Sequence, residues 1–405
     1  MDRDTDLDDL PAWQTLHYGA TLVDLHAHPA LKASLFYRYL GQRIYPSPRA
    51  FDPFAVRTNF PRLHEGGVDV LLSAIYTPEI GITNSAPPLK LLKYLAPRVW
   101  HKVYGRGYFT IANEMMDRIE KQAHIARDEQ TGGLLAHFAH SVEELDAILK
   151  APDIKRPVAL IHSIEGGHTL EGKLSNLDAF FQRGVAYMTL AHFFPNEIVN
   201  PTFPWPEYLQ RFNWFQDERD LTRGLTPFGE QVVERMIELG VLIDIAHCTP
   251  PARERIYDIV GNRAPLIASH IGAFDINPDP YNLKDWEMKK IADSGGVIGV
   301  IFMNYWLMPR ESTRGLNVIS QTLRAFSNAA GEDHVGLGTD FDGFTEPPSD
   351  LLNAAQLPRL TQRLLAEGFS ADQVRKILGG NAMRVLRQGW GKKEAPKGAS
   401  QKQGD

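Results

Sequence analysis

Eight short apolar, β-branched runs recur along the chain, and amphipathic segments separate most of them. They are Thr21–Leu25, Val68–Ala74, Val158–Ser163, Val185–Leu190, Val241–Ile245, Leu266–Ser269, Val297–Met303 and Val335–Thr339. Strands that alternate with helices pair in parallel through βαβ crossovers. Eight such units predict an α/β fold, a closed (β/α)8 barrel of the TIM type. A chain of 405 residues is long enough for one such domain with extended loops. The expected organisation is a single barrel over residues 1–390 and a disordered tail, rich in Lys, Gln and Gly, over 391–405.

The connections are uneven. Pro227–Leu239 is the clearest helix: Thr226 suits its N-cap, Pro227 its first turn, and Gly240 its end. The longest gap between runs falls between Ala74 and Val158, so Gly81–Gln130 is expected to hold extra helices. The aromatic-rich segment Pro201–Arg223 reads as a long loop over the barrel mouth.

Composition narrows the function classes. A net charge of −6 offers no basic footprint for nucleic acid and no polybasic membrane patch. A single cysteine, Cys248, excludes an internal disulfide framework and a cysteine-based zinc site. No apolar run reaches the roughly 18 residues of a membrane span. Met1–Leu10 is acidic and lacks the apolar centre of a secretory signal. These features lead to the expectation of a cytoplasmic protein acting on a small molecule.

In a barrel of this type catalytic groups gather at the C-terminal ends of the strands. Six of the eight runs end in such a group: His26 and His28 after the first, Glu165 after the third, His192 after the fourth, His247 after the fifth, His270 after the sixth and Asp340 after the eighth. His26 and His28 are two apart and so share one side of a strand. Two imidazoles on one side can grip one divalent ion. Glu165 could bridge two ions through its two oxygens, and His247 with His270 could complete a second site. Asp340 could bind the first ion and accept a proton from water. Such donors suit zinc, with manganese, cobalt and iron left open. His162 and His168, which flank Glu165, read as structural or supporting. His137 and His140 lack comparable context, and His334 precedes its strand and belongs at the opposite rim.

These motifs resemble those of the membrane (renal) dipeptidase family of zinc peptidases, from about Asp24 to Leu386. The most specific is the stretch Leu225–His247, which carries a helix, a strand and a terminal histidine. Ile164-Glu165-Gly166-Gly167, Leu190-Ala191-His192, Ser269-His270, Gly338-Thr339-Asp340-Phe341-Asp342-Gly343 and Gly379-Gly380-Asn381 also look like family motifs. The resemblance implies a binuclear zinc peptidase: His26 and Asp340 on one ion, Glu165 bridging, His247 and His270 on the other. It also implies that His192 touches the substrate and stabilises the tetrahedral intermediate, and that the protein forms a homodimer. The implied activity is hydrolysis of a dipeptide or similar small amide.

Two positions depart from the family pattern. Its first motif usually reads His-x-Asp, whereas this chain has His26-Ala27-His28, which removes one negative charge from the site. The family also places an arginine, which pairs with the substrate carboxylate, where Tyr281 stands here. Tyr281 and its neighbour Asn282 are the expected substrate contacts, yet tyrosine lacks the charged fork that selects a carboxylate. Arg223 and Lys284, the other nearby cations, read as solvated. An alternative substrate is therefore an N-acyl amino acid, a lactam or a secondary-metabolite amide. A third reading is a non-catalytic binding protein on the same scaffold.

Overall fold

The computed structural model describes residues 11–45, 47–85, 91–152, 156–203, 220–309 and 315–391. Nine strands form one parallel sheet: β1 (Leu22–Ala27), β2 (Val68–Tyr76), β3 (Ala136–Phe138), β4 (Val158–Glu165), β5 (Tyr187–Thr189), β6 (Leu242–Asp244), β7 (Leu266–Ile271), β8 (Val297–Val300) and β9 (Val335–Leu337). β2 pairs with β4 from Val70↔Ala159 to Tyr76↔Glu165, and β1 pairs with β9 at Asp24↔Leu337. These pairings close eight strands into a TIM-type barrel. Each expected run supplies one barrel strand.

The sequence reading has no counterpart of β3. This strand is three residues long, its central His137 is exposed, and alternation cannot be read over so short a run. It pairs with the first half of β4, on the edge that β5 takes over from Ser163↔Tyr187 onward. The expected extra helices between the second and third runs are present, the longest being Tyr108–Ile125. The helix Pro227–Leu239 has the expected ends. Thr226 Oγ1 accepts from the Gly229 N–H at 3.0 Å, and Gly240 closes the helix at φ +75°. Most of the 201–223 loop and all of 392–405 lie outside the described residues. Among the described residues, no helix is long and apolar enough to cross a membrane.

The barrel interior is packed. Val23, Leu25, Val70, Leu72, Ile161, Ile267 and Val297 form one buried cluster, and the helix Asn381–Gly389 joins it through Met383, Val385 and Leu386. That helix sits at the N-terminal ends of the strands, where Asn381 Nδ2 donates to the Val335 carbonyl at 2.9 Å. Alternate strand residues, among them Leu22, Leu71, Leu160, Ala268 and Ile298, face the surrounding helices.

Two irregularities in pairing aim the upper side chains. Between Asp24 and Ala27 of β1 the partner strand advances only from Leu71 to Ser73. Between Ala268 and Ile271 of β7 it advances only from Ile298 to Val300. Each is a one-residue bulge. Val23 and Leu25 point inward, so strict alternation would turn His26 out toward the helices. The bulge brings His26 inward directly after Leu25, and the second bulge does the same for His270.

His17, on the helix Ala12–Gly19, is buried far from this end of the barrel. Its Nδ1 meets Thr361 Oγ1 at 2.7 Å and its Nε2 meets the Gly66 carbonyl at 2.9 Å. Burial pushes its pKa down to about 4, although the bond to Gly66 opposes the shift. The ring is thus neutral in the fold, while the unfolded chain takes up a proton below about pH 6.5. The stability this provides is fully present above that pH and is lost as pH falls toward 4. We expect His17→Gln, which keeps a donor for Gly66, to lose less Tm between pH 7 and pH 5 than the parent. Equal losses in thermal melts would exclude His17 as a contributor.

Candidate metal centre and active site

The strand ends deliver a compact group of donors. His26 lies in β1 and His28 just past it; Glu165 ends β4. His192 and His247 follow β5 and β6 by three residues each, His270 lies in β7, and Asp340 follows β9 by three. All seven side chains are buried. Glu165 is central. Its Oε1 faces Nε2 of His26 at 3.2 Å and those of His247 and His270 at 3.5 Å each. Its Oε2 faces Nε2 of His28 at 3.4 Å and of His192 at 3.5 Å. Nε2 of His28 is 3.1 Å from that of His26 and 3.1 Å from Asp340 Oδ1. Nε2 of His247 and His270 are 3.0 Å apart.

These spacings fit divalent ions. Ligand atoms about 2.0–2.2 Å from a tetrahedral zinc lie roughly 3.3–3.6 Å from each other, and the donor spacings here, from 3.0 to 3.5 Å, come within about 0.3 Å of that range. Outer hydrogen bonds also leave lone pairs facing inward. Tyr187 Oη donates to the Leu25 carbonyl at 2.9 Å, so it accepts from His26 Nδ1 at 2.6 Å. Ser269 Oγ donates to Asp244 at 2.6 Å, so it accepts from His270 Nδ1 at 2.7 Å. With its proton on Nδ1, each ring turns an unprotonated Nε2 to the centre. His28 differs: its Nδ1 is buried and has no hydrogen-bond partner among the described residues.

Backbone strain marks the same residues. His247 and Asp340 have φ of +64° and +54°, a region that non-glycine residues seldom occupy. Such strain costs on the order of 1–3 kcal/mol per residue and persists where surrounding structure enforces it. The Asp340 N–H donates to the His26 carbonyl at 2.8 Å, and the His247 carbonyl accepts from the Thr202 N–H at 2.7 Å. Gly343 is required by close approach, since a Cβ there would stand 2.2 Å from Asp340 Oδ1.

The electrostatics follow from crowding. Burial alone would raise the Glu165 carboxyl, but His192, His28 and His26 outweigh it and hold the group well below the usual carboxylate range. Burial and the neighbouring His26 and His247 push His270 well down. For His192 burial works against the proton, yet Glu165 and Glu79 raise its pKa.

Glu79 was missed in the sequence because it lies beyond a proline, three residues past the end of β2, where an acid reads as turn chemistry. It accepts from His192 Nδ1 at 3.1 Å. Tyr281 is at the site's wall but fully buried. Its hydroxyl donates to the His270 carbonyl at 2.5 Å, and its ring stacks on Trp306 at 3.9 Å. Asn282 is buried beside it, with Nδ2 donating to the Trp306 carbonyl at 2.7 Å. Arg223 and Lys284 are exposed. His168 bonds to Thr77, His334 to the Gly296 carbonyl, and His162 faces outward to Glu120. Glu120, His140 and His162 form a separate donor group, whose carboxylate also holds Arg183.

The barrel and its donor set define a metal-dependent hydrolase that acts on peptide bonds. The chain belongs to the membrane dipeptidase family, peptidase family M19, whose model matches residues 12–397. It is 34% identical over 266 residues to an uncharacterized protein encoded in the pqqA 5′ region of Klebsiella pneumoniae, covering 62% of this chain and 92% of that one. It is 30% identical over 253 residues to dipeptidase tcpJ of Claviceps purpurea, covering 61% of this chain but only 56% of that dipeptidase. In fold it is similar to a metallopeptidase from Rhodobacter sphaeroides solved with a phosphinate mimic of the dipeptide L-Ala-D-Ala. The TM-score is 0.72 at 21% identity, covering 92% of this chain and 99% of that one.

The outer hydrogen bonds can be tested directly. Tyr187→Phe removes the acceptor at His26 Nδ1 and should weaken the affinity for a divalent ion held by His26 about 10–100-fold. Competition with a chromogenic chelator measures this; unchanged affinity would mean that Tyr187 does not hold the ligand.

Proposed function

We propose that this chain hydrolyses the peptide bond of a dipeptide or similar small amide, using two divalent ions shared by Glu165. The observation that carries the proposal is the convergence on Glu165 of two close donor groups, His26 and Asp340 each 3.1 Å from His28, and His247 3.0 Å from His270. His26, His28 and Asp340 would hold one ion, His247 and His270 the other, and the imidazole-rich donor set favours zinc. Ions bound there would polarise the scissile carbonyl and lower the pKa of the attacking water.

The protein's own groups then divide the remaining work. Glu165 keeps the two halves of the site together. Asp340 accepts the proton of the attacking water and returns it to the departing amine. His192 presents Nε2 toward the centre and stabilises the oxyanion of the tetrahedral intermediate. Tyr281 and Asn282 shape the wall against which the substrate lies. Tyr281 Oη and Asn282 Nδ2 donate to backbone carbonyls, so these donors are already engaged.

A second reading keeps the chemistry and changes the substrate to an amide without a free carboxylate. Tyr281 favours it, because its engaged hydroxyl stands where the family resemblance implies a cation. Comparing free dipeptides with their C-terminal amides separates the two. A dipeptidase should favour the free acids at least tenfold in kcat/KM, whereas equal rates would support the second reading. Asp340→Asn should lower kcat by about 100-fold or more while retaining part of the bound metal. Near-normal turnover in that variant would remove Asp340 from the role of base.

A further inference from the structure

We infer that Glu79 is the positioning residue for His192, clamping the loop after β2 to the loop after β5 and fixing which ring nitrogen faces the site. The inference rests on the reading of His192 as a group that acts on the substrate.

Glu79 is only 4% exposed, so its carboxylate needs partners on both oxygens. It has four. Oε2 accepts from Tyr76 Oη at 2.8 Å and from His192 Nδ1 at 3.1 Å. Oε1 accepts from the backbone N–H groups of Phe193 at 2.9 Å and Phe194 at 3.3 Å. The two oxygens therefore do different things. One holds the backbone directly after His192, and the other holds the ring.

The packing around His192 cannot make this choice alone. Phe193 stacks on its ring at 3.8 Å, and Tyr76 lies 4.3 Å away. These contacts confine the ring plane, but a half-turn about Cβ–Cγ would leave them nearly unchanged and move Nδ1 to the other side. An ionised carboxylate only accepts, so it requires Nδ1–H and sets Nε2 toward Glu165. The clamp is itself anchored. Thr77 bonds to His168 through its hydroxyl at 3.0 Å and its carbonyl at 2.9 Å, and the Ile80 N–H donates to Tyr108 Oη at 2.9 Å.

Glu79→Gln isolates the ring contact. Its amide oxygen can still accept from Phe193 and Phe194, but its NH2 then meets the Nδ1–H of His192, donor against donor. The test is a double-mutant cycle of Glu79→Gln and His192→Gln, assayed on L-Ala-L-Ala and L-Ala-D-Ala, with Tm and zinc content measured for each variant. We expect Glu79→Gln to lower kcat about 10–100-fold, as removal of supporting partners commonly does. KM should change by less than about threefold, Tm and zinc content should hold, and the double variant should be no slower than His192→Gln alone. Normal turnover in Glu79→Gln beside an impaired His192→Gln would overturn the inference and leave the role of His192 standing. Additive losses would also overturn it, since Glu79 would then act independently of the ring. Normal turnover in His192→Gln would instead remove the reading on which the inference rests.

Discussion

One buried carboxylate governs this end of the barrel. Glu165 is a negative charge almost without solvent, and such a charge is retained only where partners compensate its lost hydration. Five imidazoles face it, from four different strands and loops. Every feature of the site can be traced to bringing those rings in and keeping their nitrogens directed at one point. The bulges, the left-handed residues and the absence of a side chain at Gly343 all serve that convergence.

A second layer of acids holds the first. Asp244 accepts from Ser269 N–H and Oγ, from Thr189 Oγ1 and from the Ala246 N–H, and so ties β5, β6 and β7 together beneath His247 and His270. Asp24 accepts from the N–H and hydroxyl of Thr339 and from the His26 N–H, and links β1 to the segment carrying Asp340. Burial pushes the Asp24 carboxyl up to about 6, and the Thr339 bonds oppose the rise. Each ring is a hydrogen-bonding group with two distinct nitrogens. An acid or hydroxyl on the outer nitrogen therefore decides what the inner one can do.

Much of this was legible because strand ends are conspicuous in sequence. An apolar run followed by His, Glu or Asp locates a side chain in a barrel without any knowledge of pairing, and His26, Glu165, His247 and His270 all satisfy that pattern. Other features depend on distances that no local pattern encodes. β3 is too short for periodicity. Glu79 lies beyond a proline, and only the loop carrying His192 gives it meaning. Tyr281 looked available for substrate, but its burial depends on Trp306, 25 positions later in the chain. The bulges are equally silent, because Leu25-His26 reads the same whether or not the facing strand slips by one.

Those slips make the geometry a matter of residue number as much as residue kind. Exchanging Leu25 for another aliphatic side chain leaves the ladder count intact. Pairing every residue regularly, with Leu25 still in place, would turn the chain beyond it by one face. The histidines would still be encoded, and a comparison of compositions would show almost nothing lost, but the rings would enter the helical layer. These two strands thus tolerate substitution, provided the extra residue stays out of the ladder. The extra residue in each strand is as much a part of the site as the ring it directs.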